Sequence, residues 1–147
     1  MNSTAGLTDE LLRPLEVDAC WELLATTSLG RIAYVDRHGP IVLPFNYVVQ
    51  DHAIWLRTAS YSQLAIHLPG ELAALEVDDV DSTTRAGWSV LVRGRVEHVV
   101  EPHPDLPLPW AGGVRTMVFC LTPTHVTGRV LLPAAAQQES RGTQASA

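Results

Sequence analysis

The sequence predicts a mainly β fold: six or seven antiparallel strands closed into a small β-barrel, with two or three α-helices packed outside. Three observations predict it. Runs rich in β-branched and aromatic residues recur along the chain, and short turns join most of them, which favours antiparallel pairing. Residues 88–100 alternate, with Val90, Val92, Gly94, Val96, His98 and Val100 set against Leu91, Arg93, Arg95, Glu97 and Val99. That is the period of a strand with one buried and one mainly charged face. Gly94, inside this run, marks a bulge or bend of the kind that closes a barrel, and closure leaves no strand edge exposed.

Each element has its own signal. Residues 1–6 read as frayed, and Leu7 to Leu15 as a short helical turn interrupted by Pro14. Glu16 to Thr27 is a helix, with Val17, Cys20, Leu23 and Leu24 at helical spacing and Asp18 and Glu22 in its first half. Gly30 lets the chain turn into a strand at Arg31–Val35. Asp36 to Pro40 is dense in turn formers, Ile41–Val49 is a second strand, Gln50-Asp51-His52 turns, and Ala53–Thr58 is a third. Ser60-Tyr61-Ser62-Gln63 matches a capping box and starts a helix carrying Leu64, Ile66, His67 and Leu68. After Pro69-Gly70, Glu71–Val77 is a strand and 78–87 an acidic, exposed connection without calcium-loop spacing. Four prolines exclude regular structure between Glu101 and Pro109. Strands follow at Arg115–Leu121 and Val126–Leu131, separated by Pro123. The expected organisation is an N-terminal segment (1–15), one barrel domain (16–132) and a disordered Ala-, Gln- and Ser-rich tail (133–147).

Composition narrows the function. The chain has 147 residues, 46% of them apolar, and a net charge of −6. Without a basic patch, duplex nucleic-acid binding is disfavoured. All ten basic residues are Arg, so any charged contact to an anion falls to Arg. Two cysteines, Cys20 and Cys120, make neither a disulfide framework nor a zinc site and read as buried thiols. No apolar run is long enough to cross a bilayer, and the N-terminus lacks a basic-then-apolar leader, so the expected location is cytoplasmic, with no membrane partner.

The most informative stretch joins Arg57 to the helix start at Ser60–Gln63. An arginine and several hydroxyls there meet unpaired backbone N–H groups, a combination suited to a phosphate. Arg57 could instead pair with a surface acid. Ser60 could be a structural cap, a ligand or both, with Ser62 the better oxygen for a ligand. Trp88 is a core aromatic or faces a ligand, and Trp110 anchors a loop or roofs a pocket. A buried Asn46 needs a partner, either a ligand or neighbouring backbone. The histidines form no metal set, there is no nucleophile elbow, and Arg115 and Arg129 read as surface charges.

The ordered segments VLPFNYVVQDHAIWLRTASYSQL, AALEVDD and GWSVLVRGRVE resemble the pyridoxamine 5'-phosphate oxidase-like family of FMN-binding split barrels, specifically its small actinobacterial-type members. The resemblance implies a six- to seven-stranded antiparallel split barrel of the FMN-binding type. It implies that Arg57, Thr58, Ser60, Ser62 and Gln63 hold the FMN phosphate. The strand with Pro44 and Asn46 would lie along the isoalloxazine ring, and Trp88 and Ser89 would close the other side. It also implies a homodimer with cofactor sites at the interface and an oxidoreductase acting on a small molecule. Gln63 stands where relatives usually carry Lys, which leaves Arg57 as the nearby cation. Alternatives are a deazaflavin-dependent reductase, whose cofactor's acidic tail would want a basic groove absent here, a non-catalytic flavin-binding protein, and a dimeric barrel without cofactor. No side chain is an evident general acid, in keeping with chemistry carried by a cofactor.

Overall fold

The computed structural model describes residues 12–59, 62–100 and 117–133. The proline-rich connection, Ser60, Tyr61, His103, Trp110, Arg115 and the tail from Ala134 lie outside the described residues.

Among the described residues, seven strands and two helices run in the order β1 (Leu12–Pro14), α1 (Val17–Leu24), β2 (Leu29–Asp36), β3 (Gly39–Gln50), β4 (Ala53–Thr58), α2 (Gln63–His67), β5 (Leu72–Asp81), β6 (Ala86–Val99) and β7 (Met117–Leu131). Every pairing is antiparallel. The sheet order β1-β7-β4-β3-β2-β5-β6, with β6 also pairing β7, closes six strands into a barrel. β1 and β4 share one edge of β7, and β6 takes the other.

Two-residue turns set the first hairpins. Asp36 pairs with Gly39, and the Asp36 carboxylate accepts the His38 N–H at 2.7 Å, a turn made by a short acidic side chain. Gln50 pairs with Ala53, and Asp51 and His52 both adopt positive φ, 51° and 53°, as a tight hairpin turn of this hand requires.

α1 stops at Leu24, short of the expected Thr27. Thr26 donates both its N–H (3.0 Å) and its hydroxyl (2.7 Å) to the Leu23 carbonyl, competing with continuation of the helix. The helix buries Cys20, Trp21 and Leu24 against the barrel. Tyr47 ties the two together, donating its hydroxyl to the Leu24 carbonyl at 2.7 Å. Inside the barrel, Ile32, Leu56, Leu75, Val92, Phe119 and Leu121 are buried from solvent.

Four expectations are corrected. Leu12–Pro14 is strand, not helical turn, because three residues can pair with the free edge of β7 at Arg129–Leu131. Asp78–Asp81 and Ala86–Gly87 extend the β5–β6 hairpin, leaving only residues 82–85 as the turn. The acids are tolerated because they lie on its exposed end, and Asp81 accepts the N–H groups of Thr83 (2.8 Å) and Thr84 (3.3 Å), which hold its carboxyl below the usual range. Pro123 does not interrupt β7. It sits opposite Gly94 at the register shift after Arg93, a bulge where a missing N–H is tolerated, and a Cβ on Gly94 would overlap the Thr122 carbonyl. Gly30, finally, lies within β2 rather than at a turn. A Cβ there would stand 2.9 Å from both the Glu76 carbonyl oxygen and the Val77 side chain.

Candidate functional site

β4 hands the chain to α2 through a compact set of hydrogen bonds. Thr58, the last residue of β4, is only 2% exposed, and Ala59 is buried beside it. The Ser62 N–H returns to the Ala59 carbonyl at 3.1 Å. Ser62 has extended backbone and caps α2, its Oγ accepting the Ala65 N–H at 3.1 Å. From behind, Thr58 donates its hydroxyl to the same Oγ at 3.0 Å. The cap of α2 is thus Ser62, and the helix begins at Gln63, whereas Ser60, the expected start of the capping box, lies outside the described residues. Of the two serines, Ser62 stands three residues ahead of the N–H that its oxygen reaches.

Arg57 precedes Thr58 and pairs in register with Val118 of β7. Its side chain is part-buried. The Nε atom is shut off from solvent and finds no hydrogen-bond partner among the described residues, and no carboxylate pairs with the guanidinium there. The expected alternative of a surface ion pair is therefore absent among the described residues. A buried, unsatisfied donor on a charged group is costly.

The other expected site residues fall in three places. Asn46 lies on β3, with Tyr47 next to it paired with Leu56 of β4. It is part-buried, and its amide donates to the Ser28 carbonyl at 3.2 Å, so neighbouring backbone satisfies it. Pro44 is exposed on the same strand, opposite Arg31. Gln63 is exposed, and its Oε1 is 3.2 Å from Nε2 of His67 one turn on. Gln63 and His67 also line a cleft of about 510 Å³ with Asp36, Arg37, His38 and Ile66. Trp88 and Ser89 do not join the junction. They pair with Asp79 and Asp78 of β5, three strands round the barrel from Asn46, and Trp88 packs partly into the core.

Sequence reasoning missed Met117, which pairs with Thr58 and is part-buried beside it. Nothing local announces a partner 59 positions away. It also missed His67 as the neighbour of Gln63, although the i, i+4 spacing was readable. Burial pushes the thiols of Cys20 and Cys120 up, which makes poor nucleophiles of both. Among the described residues no His, Cys, Asp or Glu cluster could hold a metal ion, and no helix is long and apolar enough to cross a membrane.

A closed six-stranded antiparallel barrel with few helices is the architecture of a small split-barrel protein. The chain belongs to the pyridoxamine 5'-phosphate oxidase family, whose model matches residues 16–130. An uncharacterized protein of Mycobacterium tuberculosis is 30% identical over 124 residues, 78% of this chain and 82% of that protein. Among solved structures, an FAD-binding protein of Mycobacterium smegmatis is 30% identical, with a TM-score of 0.68 over 82% of this chain and 98% of that one. A Corynebacterium glutamicum protein, provisionally named a pyridoxamine 5'-phosphate oxidase, is 26% identical, with a TM-score of 0.71 over 84% of this chain and 96% of that one.

Proposed function

We propose that this protein binds a flavin by its phosphate at the β4–α2 junction and serves as a flavin-dependent oxidoreductase for a small organic molecule. The observation that carries the reading is Arg57: a guanidinium part-buried next to a capped helix start, with its Nε unsatisfied among the described residues. A phosphate oxygen would supply the acceptor that this donor group lacks, and charge-assisted bonds of that kind are the strong ones.

The chain's own groups would divide the work. Arg57 would supply charge and Ser62 a hydroxyl. Gln63 would add an amide without charge. Pro44 and Asn46, on the strand next to β4, would border the ring. A bound flavin supplies the electron transfer, and the protein supplies position and electrostatics. Trp88 and Ser89 would close the site from a second copy of the chain, since within one chain they lie on β6, two strands from β4 and three from β3. Exposed Leu29 and Val42, flanking Pro44 on β2 and β3, offer apolar surface for that copy to cover.

FMN is the expected cofactor. FAD is the second reading, favoured by the FAD-binding relative matched over 98% of its length. A deazaflavin is less suited to a chain of net charge −6. The test is titration of the purified protein with FMN, FAD and a deazaflavin, followed by flavin fluorescence and thermal shift, and then reduction by NADPH. Saturable binding of FMN or FAD that raises the melting temperature supports the reading. Failure of all three cofactors to bind defeats it, and binding without turnover leaves a flavin carrier in place of an enzyme.

A further inference from the structure

We infer that the outer face of the barrel carries a second small-molecule site, separate from the β4–α2 junction: a groove across β2, β5, β6 and β7 that takes a flat, apolar carboxylate such as an aromatic acid.

The groove follows from the strand register. Ala33 pairs with Ala74, Ala74 with Arg93 and Arg93 with His125, so these four residues form one row across four strands. Ile32, Tyr34, Ala73 and Leu75, which flank the two alanines, are buried. By the alternation of a strand, both alanine methyls therefore face outward. Two methyl groups directly opposite each other make a low, flat floor. Beyond this pair β2 and β5 stop pairing, although β2 runs on to Asp36 and β5 begins at Leu72. Val35 and Leu72 stand on either side of that parting, 68% and 63% exposed, and Pro40 lines the same end. The groove has a volume of about 460 Å³, within the range of small-molecule sites.

Charge selects the occupant. Arg31, Arg93 and Arg95 lie on this face, each in the row or two residues from it. Arg31 is held by Glu76 and Asp78, and Arg95 donates to the Gly70 carbonyl. Arg93 is exposed, and its guanidinium has no partner among the described residues. The bulge fixes the backbone under it: Thr124, unmatched between Pro123 and His125, donates its hydroxyl to the Arg93 carbonyl at 3.2 Å. A molecule in the groove thus meets apolar carbon at one end and an unanswered cation at the other. A hydrocarbon would leave Arg93 unpaired, and an inorganic phosphate would leave the alanine floor, Val35 and Leu72 uncovered. An aromatic carboxylate covers the floor with its ring and accepts from Arg93 with its oxygens. His125 is seven positions along β7 from Val118, the partner of Arg57, which is about 23 Å of strand. The groove is therefore independent of the flavin-phosphate reading.

The test titrates the full-length protein with trans-cinnamate and with its uncharged amide, following backbone amide NMR shifts and heats of binding. Cinnamate should bind saturably, with shifts centred on Ala33, Ala74, Gly94 and His125. Arg93→Gln should weaken cinnamate about three- to tenfold and leave the amide unchanged, as expected for the loss of one charged hydrogen bond near solvent. Ala74→Leu fills the floor and should abolish binding of both, with a melting curve to confirm the fold. Arg57→Ala should bind cinnamate like the parent. If the amide binds the parent as tightly as cinnamate, or if Arg93→Gln changes nothing, the carboxylate site is overturned, whether or not Ala74→Leu folds. Loss of cinnamate binding in Arg57→Ala would place the ligand at the flavin junction instead. Displacement of cinnamate as the protein self-associates on concentration would make this face an interface between copies, and the inference would fall.

Discussion

Arg31 and Arg57 occupy neighbouring strands-but-one of the same barrel and live in opposite circumstances. Arg31 points from β2 into solvent, and its guanidinium bonds to Glu76 at 3.0 Å and Asp78 at 3.1 Å, both on β5. Those bonds raise its pKa, and its charge is answered within the fold. Arg57 is more enclosed, yet its Nε has no partner among the described residues. A paired, exposed arginine stitches strands and adds little stability. A part-buried arginine whose Nε lacks a partner among the described residues carries a cost that the fold itself does not offset there. The difference between them separates a charge answered within the fold from one whose Nε is left unanswered among the described residues.

The largest test of that contrast is to remove each in turn. Arg57→Ala should weaken FMN binding about 10- to 100-fold, in line with losing a charged hydrogen bond of roughly 1.5–3 kcal/mol. Arg31→Ala should leave FMN affinity unchanged. Equal effects of the two changes in a titration would erase the distinction. A smaller effect is expected from Gly30→Ala, which presses a methyl against β5 next to the Arg31 ion pairs. It should lower unfolding free energy in urea by about 1–3 kcal/mol, the usual cost of overpacking, while the folded fraction keeps parental FMN affinity. Loss of affinity there would mean that the two regions are coupled.

The smallest effect is one of pH and concerns the core that both regions share. Burial raises the Tyr47 pKa well above its ordinary value of 10. Because the folded state holds this proton more tightly than the unfolded state, the stability it supports is complete below about pH 10 and declines as pH rises beyond it. Thermal melts should show that alkaline decline, and Tyr47→Phe should flatten part of it. The same change leaves the Leu24 carbonyl without its partner, at a cost of about 1–3 kcal/mol at neutral pH. Tyr34, Cys20 and Cys120, likewise raised by burial, would share the remainder of the slope, the two thiols beginning to contribute at lower pH than the phenols.

Much of this was legible in the residues. The alternation of residues 88–100 gave β6 and its bulge at Gly94, and the turn formers at 36–40 and 50–52 gave two hairpins. What escaped was set by distance along the chain. Leu12–Pro14 is too short to carry a pattern and is extended only because β7 has an edge to offer. Pro123 breaks an isolated strand but not one that meets a glycine 29 positions earlier at a bulge. At the site, chemistry was readable and geometry was not. Thr58 and Ser62 share a hydrogen bond, but that Ser62 caps α2 is set by the Ala65 N–H its Oγ accepts, which periodicity does not encode. Trp88 and Ser89 lie on β6, two strands from β4, because strand order, unlike strand identity, is a property of closure.

The way β7 divides one of its edges has a consequence for life in a crowded solution. β4 covers Met117–Leu121 and β1 covers Arg129–Leu131, with the Leu15 N–H bonded to the Gly128 carbonyl at 2.9 Å between them. The short gap that remains contains Pro123, which has no N–H to offer an incoming strand. The barrel leans on one fifteen-residue strand, and the three residues Leu12–Pro14 keep the far end of that strand's second edge paired within the chain.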